Sequence, residues 1–99
     1  MENTRTDEAA RTLVHYVARE LVAERAHAGL SLRSAAEKSG LGVTTIQRFE
    51  LEQRVPNLEQ LSILCATYGT TVLDLLRRAE DRMGSDQNLF VTRSLELGD

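Results

Sequence analysis

Thr44, Gln47 and Arg48 are the residues of this 99-residue chain whose types and spacing point most directly to chemistry. In the run VTTIQRFE, successive residues advance by about 100° around a helix, so Ile46 and Phe49 point one way. Thr44, Gln47, Arg48 and Leu51 point the other way. Glutamine can grip an adenine edge through paired donor and acceptor, arginine a guanine edge or a phosphate, and threonine a thymine methyl. Without a ligand, the same three residues make an ordinary solvated helix face, and both readings stand at this point.

A helix that presents such a face needs elements to hold it. Ser31 is a good N-cap, and the short helix after it gathers Leu32, Ala35, Ala36 and Ser39 on one small, mostly apolar side. Gly40 then interrupts the period, because glycine takes the left-handed conformation that ends a helix, and the pattern restarts at Val43. Upstream, Ala10, Leu13, Val14, Val17, Ala18, Leu21 and Val22 recur at three- and four-residue spacing. They predict a long amphipathic helix from Asp7 to near His27, stopped by Gly29. Downstream, Pro56 disfavours helix at Val55, and Asn57 with Gln60 forms a capping box for a fourth helix. Its expected buried face is Leu58, Leu61, Leu64 and Cys65, and Gly69 stops it. Thr71 caps a fifth helix, with Val72, Leu75, Leu76 and Ala79 inward and Gly84 as terminator. Five helices with short connections predict an all-α domain over residues 7–83, after a flexible N-terminus at 1–6 and before a tail at 84–99.

The register of the central stretch resembles the helix-turn-helix of the lambdoid phage repressor and Cro family, also called the Xre family. The matching residues are Gly29-Leu30-Ser31, Ala36, Gly40 and Ile46-Gln47-Arg48-Phe49-Glu50, continuing through Val55-Pro56-Asn57-Leu58-Glu59 to Leu75-Leu76. The resemblance covers roughly residues 17 to 79. It implies a five-helix lambda-repressor-like domain and a sequence-specific DNA-binding transcriptional regulator, repressor-like, acting as a homodimer on a two-fold operator of double-stranded DNA. The third helix is then expected in the major groove, with Val43, Thr44, Gln47 and Arg48 at the base-contact positions. Phosphates are expected at the start of the second helix, around Leu32 and Arg33, and at Gln53 and Arg54 after the third. Glu50 falls within about 40° of Ile46, on the core-facing side, where a carboxylate needs a partner. The resemblance supplies one, Arg25, as a structural ion pair. The chain departs from the family pattern at Leu32 (often Gln), Gly42 (usually Ser or Thr), Glu52 (commonly Gly) and Glu24 (usually Leu).

Composition bounds the alternatives. A chain that is 41% hydrophobic but only 4% aromatic, without Trp, suits one domain packed by Leu, Ile, Val and Ala. No apolar run approaches the ~20 residues of a membrane span, and no signal-peptide core is visible, so a cytoplasmic protein without membrane contact is expected. Cys65 stands alone in an apolar helix, which predicts a buried inert thiol and excludes a cysteine metal cluster. His15 and His27 are isolated, and surface roles are expected of them. No phosphate loop, paired histidine ligands or nucleophile triad can be assembled, so neither an enzyme nor a bound metal or cofactor is expected. The net charge of −3 opposes a simple polyanion-binding surface. A DNA face must therefore collect Arg33, Lys38, Arg48 and Arg54 on one side and depend on base readout.

The tail allows two readings. Leu89 to Leu97 nearly alternates apolar and polar residues, as in a strand with one buried face, and a two-fold C-terminal β-arm pairing with a second copy would satisfy it. The other reading is a disordered acidic tail. Two functional rivals share the fold. In an antitoxin the tail would bind a toxin, and in a pure interaction module the third helix would touch protein.

Overall fold

The computed structural model describes residues 4–97, with side chains over residues 6–86. It consists of α1 (Thr4–His27), α2 (Leu32–Ser39), α3 (Val43–Glu50), α4 (Leu58–Tyr68) and α5 (Val72–Leu97), with no strand among the described residues. Local chemistry fixes most boundaries. The Ser31 hydroxyl accepts from the Ser34 amide at 3.0 Å, starting α2. Asn57 and Gln60 exchange side-chain and backbone hydrogen bonds at 2.7 and 2.9 Å, starting α4. Thr71 accepts from the Asp74 amide at 3.1 Å, starting α5. Gly40 ends α2 at φ 81°, its amide returning to the Ala36 carbonyl.

The core forms where the five helices converge. Val17 and Leu21 of α1, Ala35 of α2, Ile46 and Phe49 of α3, Leu61, Leu64, Cys65 and Tyr68 of α4, and Leu75 and Ala79 of α5 make one cluster. Ala35 is wholly buried, so α2 and α4 approach closely over a methyl group. Ile46 and Phe49, each 1% exposed, anchor the inner face of α3.

Four expectations need correction. Val22 and Leu58 are 39% and 72% exposed although both lie on predicted core stripes. Periodicity assigns a face but not the length over which a neighbour covers it, and Leu58 sits at the mouth of α4 beyond that edge. Ala10 is exposed for the same reason, on the part of α1 that runs ahead of the core. Gly84 does not end α5. It lacks the positive φ of Gly29, Gly40 and Gly69, and the helix continues past it, where the Tyr16 hydroxyl of α1 donates to Asp86. The β-arm or acidic tail expected of residues 84–99 falls mostly outside the residues whose side chains are described.

Candidate nucleic-acid interface

With Ile46 and Phe49 fixed in the core, helical geometry leaves the opposite side of α3 to solvent. Thr44, Gln47 and Arg48 are exposed there, and Val43 at the first turn is 41% exposed. At 1.5 Å per residue the eight residues of α3 span about 12 Å, close to the width of a major groove. Gly42 caps α3 without a side-chain hydrogen bond, so the first-turn amides of α3 have no side-chain acceptor from their cap.

The buried side of α3 is locked to α1 through Glu50. Arg25 Nε donates to Glu50 Oε2 at 2.7 Å and Nη2 to Oε1 at 3.0 Å, a two-pronged pair. The remaining prong, Nη1, donates to the Leu30 carbonyl at 2.9 Å, so one guanidinium ties α1 to α3 and to the α1–α2 turn. The Glu50 and Arg25 side chains are 9% and 19% exposed. Hydrogen bonding to Glu50 holds the Arg25 pKa above its usual value.

The expected phosphate contacts flank this helix on both sides. Arg33 is exposed at the start of α2, but the Leu32 side chain packs against the core. Leu32 can therefore offer a phosphate only its amide, which lies in the unpaired first turn of a helix. After α3, the Gln53 and Arg54 amides both return to the Arg48 carbonyl, at 2.9 and 3.3 Å, leaving their side chains exposed.

Every ion-paired arginine among the described residues lies on α1 or α5. Arg25, Arg77, Arg78 and Arg82 all stand in ion pairs. Arg33, Lys38, Arg48 and Arg54 stand in none among the described residues. Arg11 and Arg19 of α1 are likewise in no ion pair, Arg19 lying over the Tyr16 ring, and the four cations on or beside α3 remain free to meet an external anion.

Sequence reasoning missed the seam between α1 and α5. Glu20 is 1% exposed yet charged in type. Arg82 Nε lies 3.2 Å and Arg78 Nε 3.6 Å from its oxygens, both outside hydrogen-bond geometry. Arg78 Nη2 also lies 2.9 Å from Glu24 and donates to Thr70. Glu24, which departs from the family's Leu, is thereby matched by an arginine on α5. Helical phase puts Glu20 and Glu24 on the apolar stripe of Val17 and Leu21, and Arg78 and Arg82 beside that of Leu75 and Ala79, but it does not say that the two stripes meet.

The remaining reactive groups are inert by position. Burial pushes the Cys65 thiol up to about 11 and the Tyr68 hydroxyl up to about 12. No cluster of three or more His, Cys, Asp or Glu side chains able to hold a metal occurs among the described residues. No helix among them is long and apolar enough to cross a membrane.

The comparisons with known proteins agree with this geometry. No curated protein matches the chain. Two crystal structures of the clp gene regulator ClgR from Corynebacterium glutamicum resemble it. One is 28% identical with a TM-score of 0.66, covering 72% of this chain and 91% of that one. The other is 23% identical with a TM-score of 0.71, covering 88% and 96%, and speaks for the fold alone. The helix-turn-helix family model (HTH_3) matches residues 21–75, more than half of the chain and all of the α2–turn–α3 unit. The chain therefore belongs to the helix-turn-helix family of the Xre and lambda-repressor type, and it is a DNA-binding transcriptional regulator rather than an enzyme.

Proposed function

We propose that α3 reads base edges in the major groove of a two-fold operator, with Val43, Thr44, Gln47 and Arg48 as the reading residues and a homodimer as the bound form. The observation that carries this reading is that Arg33, Lys38, Arg48 and Arg54, on α3 or beside it, are all exposed and none is neutralised by an ion pair among the described residues. Arg33, the α2 amides, Gln53 and Arg54 hold the backbone on either side, which sets register but carries no base identity. Gln47 and Arg48 supply the discrimination. ClgR, which this fold resembles, is by its name a regulator of clp genes, which supports a role in transcription. A net charge of −3 favours weak non-specific binding and strong dependence on sequence.

Binding by three variants tests the assignment. Gln47→Ala and Arg48→Ala each weaken the cognate duplex by roughly 1–3 kcal/mol and relax preference at particular base pairs. Arg54→Ala weakens cognate and random duplexes alike. Cognate binding by both α3 variants at wild-type strength would show that the face is misassigned.

A further inference from the structure

The loop that carries Gln53 and Arg54 contains a residue the recognition face does not itself require. Glu52 has φ 62°, the one non-glycine residue of the described chain with a positive φ. A side chain in that conformation crowds its own carbonyl, which strains the backbone there. The turn it makes has a use, because it folds the chain back so that the next two amides bond the Arg48 carbonyl. Glycine would make the same turn without strain. The glutamate does what glycine cannot: its Oε2 lies 2.8 Å from His15 Nδ1, a contact between α1 and the loop across 37 residues of sequence. His15 is backed by Tyr16, edge-on at 5.1 Å, and the Tyr16 hydroxyl is held by Asp86 of α5.

Chemistry gives this contact a second consequence. A carboxylate next to Gln53 and Arg54 repels the phosphates those residues are assigned to hold, and the repulsion falls as it is held farther from them. The contact with His15 is what holds it.

We propose that His15 is a positioning residue for DNA binding: through Glu52 it tethers the strained loop to α1, and it turns the Glu52 carboxylate away from the phosphate backbone. The proposal rests on the DNA reading above. It makes His15 matter only while residue 52 is a glutamate. Loss of the imidazole leaves a strained loop and a bare anion, and glycine at 52 removes both.

The test measures binding to a cognate and a random duplex by wild type, His15→Ala, His15→Gln, Glu52→Gly and the double variant His15→Ala with Glu52→Gly. His15→Ala weakens both duplexes by roughly three- to fivefold, the scale of one exposed pair. His15→Gln, which keeps a donor, recovers part of that loss. Glu52→Gly binds as tightly as wild type or tighter, and the double variant matches it. Melting temperatures of the variants stay within a few degrees of wild type, so the effect is one of positioning. A loss from His15→Ala that is the same with and without Glu52→Gly overturns the tether, as does no loss at all. If wild type binds no duplex at low salt, the DNA reading is the one that fails. The tether is then judged by amide hydrogen exchange at Gln53 and Arg54. Faster exchange in His15→Ala supports it, and unchanged exchange refutes it.

Discussion

Replacing Arg25 by Met should be among the most damaging single changes available in this chain, and the structure says how much of the damage is repairable. The substitution removes two charge-assisted hydrogen bonds to Glu50 and the bond to the Leu30 carbonyl. Glu50 cannot turn to water for compensation, because its side chain is only 9% exposed. Stranding a carboxylate in such a place costs on the order of 3–5 kcal/mol, which for a domain of this size lowers the melting temperature by roughly 12 °C or more. Glu50→Leu alone should cost less, because the Arg25 side chain is 19% exposed and can be rehydrated more readily. The double variant, Arg25→Met with Glu50→Leu, replaces the pair by apolar surface and should recover most of the loss. It should still lack about 1 kcal/mol, the net value of the orphaned Leu30 bond. Urea or thermal unfolding of the four proteins gives the coupling directly, expected at about 2 kcal/mol or more. Losses that simply add would refute the argument that these two side chains stabilise the fold as a unit.

The α1–α5 seam predicts an asymmetry: Glu20→Met should cost under about 1 kcal/mol, since Arg78 and Arg82 are 42% and 46% exposed and can be rehydrated. Replacing both arginines by Met should cost several times more, because Glu20 stays buried without a cation; equal costs in unfolding experiments would contradict this. Gly42→Ser should stabilise by about 0.5–1 kcal/mol, supplying a cap to α3 and restricting the unfolded chain. The site has ordinary φ of −70° and a new Cβ would meet only Thr45 Oγ1 at 3.6 Å, so a lowered melting temperature would refute it. Cys65 should resist thiol reagents at pH 8 in the folded protein and react fully in denaturant, because burial holds its pKa at about 11. Rapid native-state labelling would contradict that.

What was legible in the sequence was local. The Ser31 cap, the Asn57–Gln60 capping box and the Gly40 stop each join residues no more than four apart, and each forms as expected. The outward set on α3 was legible because Ile46 and Phe49 fix its phase. Pairing across distance was less so. Helical phase shows that Glu50 needs a partner, but a family register was required to name Arg25. The Glu20–Arg78–Arg82 seam had no such guide, and it emerges only once α5 is known to lie against α1. The His15–Glu52 contact joins two residues with no expected link, one an isolated surface histidine and the other a departure from glycine. Leu58, Val22 and Gly84 were misassigned for one reason: periodicity and residue type describe a helix, but its neighbours decide where burial and the helix itself stop.

The exposed face of α3 is proposed to read sequence in duplex DNA. Selection of binders from a pool of random-sequence duplexes, followed by sequencing, tests it most directly. The expected result is enrichment of a two-fold-symmetric sequence with half-sites about one helical turn, ~34 Å, apart. Gln47→Ala and Arg48→Ala proteins should lose that preference at particular positions. Failure of the wild-type protein to enrich any sequence at low salt, or an enriched site unchanged by both substitutions, would contradict it.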